Sequence, residues 1–269
     1  MIESLKAAAA SLSADMTRMT SISQNLVNGT TAGYKREMPV ASAFVQHLAD
    51  APTALTDHRL GSLRPTGNPL DLAIDGEGFF ELQAEGRSVY TRRGDFRLDA
   101  SGRLVAQTGE LVQGLGGAIR MPSADARIDR DGRVFEGDKQ VAQIKVVRFA
   151  DTRQLQRLNG SVFEAGGAAP SAEPAGRLRQ GHLEASNVNN ATEMVKLIET
   201  VRHFEATQKN VQGIDEMHER ALRKLAALCY AAIEAELRHD WGSGVLRSAE
   251  ALAFADEHGI EGLYHTAAM

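Results

Sequence analysis

Leu70-Asp71-Leu72-Ala73-Ile74-Asp75-Gly76-Glu77-Gly78-Phe79-Phe80-Glu81-Leu82 is where the apolar pattern of this 269-residue chain changes from a helical period to that of strands. Asp75-Gly76-Glu77-Gly78 separates two apolar runs, so the stretch predicts a strand, a tight turn and a return strand. Turn signals then recur along the chain. Glu85-Gly86 precedes Ser88-Val89-Tyr90-Thr91. Ala100-Ser101-Gly102 lies between Phe96–Asp99 and Arg103–Val105, and Arg130-Asp131-Gly132 lies between Ala126–Asp129 and Arg133–Phe135, each as a hairpin connection. Gln143 to Phe149 is predicted as one further strand that closes the β region, and Gly166 to Gly176 has loop composition.

Outside this region the period is helical. Ile2, Leu5, Ala9, Leu12, Met16, Met19 and Leu26 recur at threes and fours, as do Met194, Leu197, Val201, Phe204 and Val211, drifting on through Ile214, Met217, Ala221 and Leu225. Either stripe alone leaves an apolar face in water, and the simplest partner for each is the other. The first helix is expected to end near Asn25 to Asn28, where Asn28-Gly29-Thr30-Thr31-Ala32-Gly33 supplies turn formers. Gly181 to Asn190 reads as an extended approach to a second helix beginning near Ala191, capped by an Asn or Thr before Glu193. Its beat continues to His239, breaks at Trp241-Gly242-Ser243-Gly244 and resumes over Leu246 to His258.

The predicted fold class is α+β, with terminal helices paired as a coiled-coil-like split domain around a central antiparallel β domain. The expected organisation is 1–45 for the N-terminal helix and turn, 46–69 for a partly helical or extended connector and 70–180 for the β-rich domain. Residues 181–225 form the C-terminal helix, and 226–269 an extension of unknown role. An assembly surface is predicted on Leu5, Leu12, Met16, Met19, Leu26, Met194, Leu197, Val201, Phe204 and Val211. Asn25, Asn28, Gly33, Asn187 and Asn189 are expected to fix the turns where the helices leave the β domain, because Asn side chains bond local backbone groups.

Composition narrows the function classes. With a formal charge of −5 and 5% aromatic residues, the chain has neither an electrostatic footprint nor a stacking platform for nucleic acid. Cys229 is the only cysteine, which excludes an intrachain disulfide and a cysteine-based zinc cluster. The N-terminus lacks a signal-peptide layout and no apolar run is long enough to span a bilayer, so a soluble chain without direct membrane insertion is expected.

Catalytic and metal motifs are not legible. Aligning Asp125 to Asp131 on the glycine of a calcium loop puts Arg127 at the first ligand position and Asp138 at the last, so a hairpin turn is the better reading. His203 and His218 are too far apart on their helix to share a metal on adjacent turns, and Asp71, Asp75 and Glu77 crowd one hairpin without the opposed geometry of a glycosidase pair. No catalytic residue, cofactor, metal or small-molecule substrate is predicted. The alternative class is a secreted β-rich enzyme or carbohydrate-binding module with helical ends.

Three motifs resemble the flagellar basal-body rod and hook-associated axial proteins. Ser21-Ile22-Ser23-Gln24-Asn25-Leu26-Val27-Asn28-Gly29-Thr30-Thr31-Ala32-Gly33-Tyr34-Lys35 is similar to the family's N-terminal signature, with Val27 for the usual Ala and Gly29 added. Thr66 to Phe80, continued by Tyr90-Thr91-Arg92-Arg93-Gly94-Asp95-Phe96, is similar to the opening of its β domain. Leu183-Glu184-Ala185-Ser186-Asn187-Val188-Asn189 with Glu193-Met194-Val195 is similar to the C-terminal signature, and the likeness ends near Leu225. The wording is most like the proximal-rod branch and next most like the distal-rod branch. The resemblance implies a structural subunit of the periplasmic rod in the basal body. It implies export by the flagellar type III apparatus without a cleaved signal peptide, and polymerisation with copies of itself and other rod proteins. Terminal segments largely disordered in the free subunit are a further expectation.

Overall fold

The computed structural model describes residues 2–40, 54–121, 126–171, 175–237, 245–250 and 253. Among the described residues, the long α-helices α1 (Ile2–Val27) and α2 (Asn190–Leu237) bracket eighteen short strands whose pairings are all antiparallel. The chain divides into two compact units, residues 17–199 and residues 1–16 with 200–269. The division runs through both helices, and the inner ends of α1 and α2 carry hydrogen bonds of the β unit, Asn25 with Glu37 and Glu193 with Asn25 and Arg36.

In the β unit the largest sheet runs β15 (Gln156–Asn159), β16 (Val162–Glu164), β6 (Arg87–Thr91), β5 (Phe79–Ala84), β9 (Leu111–Gly114), β8 (Leu104–Val105) and β7 (Arg97–Leu98). Off this path, β10 (Gly117–Ala118) pairs with β9 and β14 (Val146–Val147) with β5. A three-stranded sheet joins β11 (Arg127–Ile128), β12 (Arg133–Glu136) and β13 (Lys139–Gln143). Three strand pairs complete the unit: β1 (Glu37–Pro39) with β2 (Ala54–Thr56), β3 (Leu63–Pro65) with β18 (His182–Glu184), and β4 (Leu72–Asp75) with β17 (Arg177–Gln180).

Successive residues of a strand face opposite sides of its sheet, so Phe79 and Phe80 on β5 begin two cores. Phe80 packs in a cluster with Leu72, Leu82, Val112, Val134 and Leu178, whereas Phe79 lies with Tyr90, Phe149, Leu155 and Phe163. Each such buried side chain contributes roughly 1.5–3 kcal/mol of burial free energy. β5 therefore holds the unit together from both faces.

The hairpin turns follow from local chemistry. β5 and β6 are joined by Glu85-Gly86, both at positive φ (49° and 81°), as a two-residue hairpin turn of the primed type requires. Asp99 Oδ1 accepts from the amides of Ser101 and Arg103, and Asp129 Oδ1 accepts from those of Asp131 and Arg133, at 2.8–3.0 Å. The carboxylate that invited a calcium reading is thus engaged in closing its own turn.

Three strand expectations are corrected. β4 and β5 do not form a hairpin: β4 pairs with β17 and β5 with β6, β9 and β14. The cause is the Arg92 guanidinium, which occupies the corner and donates to the carbonyls of Ile74, Gly76 and Gly78 at 2.6–2.9 Å, turning the chain from one sheet into the other. The predicted strand Gln143–Phe149 is broken after Gln143, since β13 belongs to the small sheet and β14 to the large one. Nor does the β region close at Phe149, because β15 to β18 follow and β15–β16 extend the large sheet beyond β6. Within the connector, residues 54–56 and 63–65 are strands. Its residues 46–53, and the predicted break at Trp241–Gly244, lie outside the described residues.

α2 begins one residue before the expected Ala191. Asn189 Oδ1 accepts from the Thr192 amide at 3.1 Å and so caps the first turn. Replacing Asn189 with Ala is expected to lower stability by about 1 kcal/mol. An unchanged urea midpoint would show that the cap contributes nothing. The helix runs unbroken past Leu225 to Leu237, and residues 245–250 are again helical.

In the helical unit the covered side of α2 follows alternating fours and threes: Thr200, Phe204, Thr207, Val211, Ile214, His218, Ala221, Leu225, Leu228 and Ala232. That face includes Phe204, Val211, Ile214, Ala221 and Leu225 of the expected stripe, whereas Met194 and Met217 point to water. Residue spacing near 3.5 suits a seam against another helix. There Asp15 is buried and His203 Nδ1 lies 2.5 Å from its Oδ2.

Candidate functional site at the meeting of the two signatures

The β unit brings the N-terminal turn, the connector, the end of β6 and the approach to α2 together through buried polar side chains. Glu184, on β18, is 1% exposed and is the centre of the first cluster. Its Oε1 accepts from Lys35 Nζ at 2.6 Å and from the Gly61 amide at 2.8 Å, and its Oε2 accepts from Arg92 Nε at 2.6 Å. Lys35 Nζ also donates to the Arg59 carbonyl at 2.7 Å. Two buried cations thus share one carboxylate, and main-chain carbonyls accept from both of them. Burial pulls the Lys35 pKa below the usual lysine range while the adjacent Glu184 charge opposes that pull.

A second cluster surrounds Glu193 on the first turn of α2, also 1% exposed. Rather than folding back to cap its own helix, its carboxylate accepts from Arg36 Nε at 2.8 Å and from Asn25 Nδ2 at 3.1 Å. Burial raises its pKa, yet hydrogen bonds from Asn25 and Arg36 and the charges of Arg36 and Lys196 bring it below the ordinary carboxylate range. Asn25, at the end of α1, uses all its capacity: Nδ2 also donates to the Glu37 carbonyl, and Oδ1 accepts from the Glu37 amide and the Tyr34 hydroxyl. Burial pushes the Tyr34 hydroxyl up to about 12.

Asn187 links these clusters to the connector. Its Oδ1 accepts from the Arg36 amide at 2.7 Å, and its Nδ2 donates to the carbonyls of Asp57 and Arg59 at 2.8 and 3.0 Å. Arg157 closes the outer side, with its guanidinium 4.9 Å from the Tyr34 ring centre and 5.0 Å from that of Phe163. Its Nε is 3.1 Å from Glu37 Oε1, close enough for an ion pair but not aligned as a hydrogen bond. The arrangement has no nucleophile–base pair. What it does physically is tie the inner turns of α1 and α2 to the N-terminal turn and the connector through buried hydrogen bonds.

Comparison with known proteins accounts for these signatures. Residues 179–224 match the family described as flagellar basal body rod FlgEFG protein C-terminal, and residues 73–136 match the flagellar hook protein FlgE/F/G D1 domain. The flagellar basal-body rod protein FlgG of Buchnera aphidicola from Acyrthosiphon pisum is 32% identical over 267 residues, covering 85% of this chain and 100% of that protein. The chain belongs to the flagellar basal-body rod protein family. The rod protein FlgF of Salmonella typhimurium is 32% identical over 227 residues, covering 75% of this chain and 90% of the relative, and FlgF of Caulobacter vibrioides is 30% identical over 224 residues, covering 77% and 91%. This is a structural family of the flagellar basal body, and its members here carry both the FlgG and the FlgF name.

Of the predicted turn residues in this rod protein, Asn25, Gly33 and Asn187 join distant segments, whereas Asn28 and Asn189 bond only nearby residues. Asn25 and Asn187 are buried or half-buried cross-links, Asn189 is the α2 cap, and Asn28 stays local, donating to the Gln24 carbonyl and accepting from the Thr31 hydroxyl. The Gly33 amide donates to the Glu184 carbonyl at 2.8 Å. Of the predicted assembly residues, Leu12, Met19, Leu26, Leu197, Val201, Phe204 and Val211 are half-buried, whereas Leu5, Met16 and Met194 are exposed. Lys35, Arg92, Glu184 and Glu193 were legible only as letters inside the motifs. The available signal was charge placed on positions that the strand or helix pattern turns inward.

Proposed function

We propose that this rod protein polymerises through its helical ends, whose inner turns the buried Glu193 cluster anchors. One observation carries the reading. α2 is held by Glu193 on its inner side, while Met194, Val195 and Ile198, neighbours at helical spacing, are each more than half exposed in the single chain. Single exposed apolar residues need no explanation, but three on the turn next to a fixed cap form a surface suited to another subunit. An open helical array needs contacts that do not close, and the exposed face of α2 would meet a different patch on its neighbour. Pairing of α1 with α2 as a coiled-coil-like seam belongs to the same proposal, supported by the 3.5-residue beat on α2 and by the His203–Asp15 contact.

The proposed partners are copies of this chain and other rod proteins, with the export apparatus engaged beforehand and the periplasmic rod as destination. Among the described residues no helix is long and apolar enough to cross a membrane, which is compatible with that setting. The proximal-rod, FlgF-type position is favoured by the wording of Thr66 to Phe80 and the compact length to Leu225. The distal-rod reading has its own support in the FlgG relative matched over its full length. Complementation of strains lacking FlgF or FlgG separates the two.

Changing Met194 and Ile198 together to Lys is expected to leave circular dichroism and β-unit stability within about 0.5 kcal/mol, since both side chains already face water. The same change is expected to abolish motility and incorporation into isolated basal bodies. Normal swimming by the double variant would remove α2 from the assembly surface.

A further inference from the structure

His58 lies in the connector between two residues that both ends of the chain hold. The Asp57 amide donates to the Arg36 carbonyl, while the carbonyls of Asp57 and Arg59 accept from Asn187 and that of Arg59 also from Lys35. Its ring is fixed against the second core, 5.2 Å from Phe163 and 5.8 Å from Phe79 between ring centres. Nδ1 is buried and has no hydrogen-bond partner.

The charges around it are mostly positive. Lys35, Arg92 and Arg157 act on the ring from the N-terminal turn, the end of β6 and β15, and Asp57 is the opposing charge. Asp57 is itself engaged by Arg59, and Glu184 by Lys35 and Arg92. Along the clefts that His58 lines, Arg148 is paired with Glu77, Arg153 with Asp151 and Glu37 with Arg157.

We propose that His58 makes this joint acid-sensitive. Protonating the ring adds a fourth positive charge beside Lys35, Arg92 and Arg157, with no unpaired carboxylate facing it among the described residues. The connector then detaches from the two signatures. This inference does not depend on the rod assembly described above.

Burial and the nearby cations pull the His58 pKa down from 6.5 to about 4. The folded state therefore binds this proton less readily than the unfolded chain. Its contribution is complete above pH 6.5, falls as the pH drops toward 4 and levels off below it. Carboxylates lose their own contributions mainly below about pH 4.5, and the other histidines are common to the natural sequence and the His58 variants, so the difference between them from about pH 7 to 4.5 reports His58.

The test is urea unfolding of the full chain at steps of pH, for the natural sequence and for His58→Phe and His58→Asn. Across that interval the unfolding constant of the natural sequence is expected to rise roughly 50-fold more than that of either variant. Hydrogen exchange at pH 4.5 should show the Asp57 and Gly61 amides losing protection before that of Leu82 in the core. Identical pH slopes with and without His58 would overturn the proposal. So would direct NMR titration placing His58 near 6.5, a measurement that needs no variant to fold.

Discussion

Glu184→Ala is expected to destabilise the β unit by about 3–5 kcal/mol, the range for removing one partner from a buried charge cluster. The lost bonds are the smaller part. Lys35 and Arg92, 1% and 2% exposed, would remain in the interior without a counter-charge, and the Gly61 amide would lose its acceptor. Neither cation can simply withdraw to water. Lys35 is also bonded to the Arg59 carbonyl, and Arg92 holds the carbonyls of Ile74, Gly76 and Gly78 where the chain passes from β4 to β5. For that reason, removing Arg92 together with Glu184 is not expected to restore stability, unlike the usual outcome when a buried ion pair is exchanged for apolar groups. Urea unfolding of the single and double variants measures both claims, and a loss below 1 kcal/mol for Glu184→Ala would show that water reaches the cluster.

Gly33→Ala should be nearly as damaging, by about 3 kcal/mol or more. Gly33 has φ of +64°, where a side chain is strained, and a Cβ there would lie 2.4 Å from the Arg92 carbonyl carbon and 2.5 Å from the Arg93 amide nitrogen. Those are backbone atoms at the corner that Arg92 fixes, so relief requires moving the N-terminal turn and stretching the Gly33 bond to Glu184. Gly67→Ala separates the two causes. It shares the positive φ, +76°, but its Cβ meets nothing within 4 Å, so only the backbone strain of about 1–2 kcal/mol applies. Equal melting temperatures for the two variants would mean that the clash at Gly33 is relaxed away.

Legibility tracked the range of the forces involved. The turns at Asp99–Arg103 and Asp129–Arg133 and the cap at Asn189 were readable because each carboxylate or amide oxygen bonds amides two to four residues away. The rod family was readable because its motifs lie close to such local devices. The partner of β4 was not, since β17 lies about a hundred residues later and the turn at Gly76–Gly78 is equally compatible with a hairpin. The break between β13 and β14 escaped for a related reason: an alternating apolar run suits one continuous strand as well as two strands in different sheets.

Sequence alone determined the two helices, most of the turns and the family, because these depend on apolar periodicity and on bonds made within a few residues. Only the tertiary structure decided where β4 pairs, and that Glu184 and Glu193 are interior anchors rather than surface acids. Those outcomes depend on cations supplied from distant segments, Lys35 and Arg92 for one and Arg36 for the other. A carboxylate is tolerated in the interior only when such partners converge on it, and convergence across 92 to 157 residues of chain is a property of the fold.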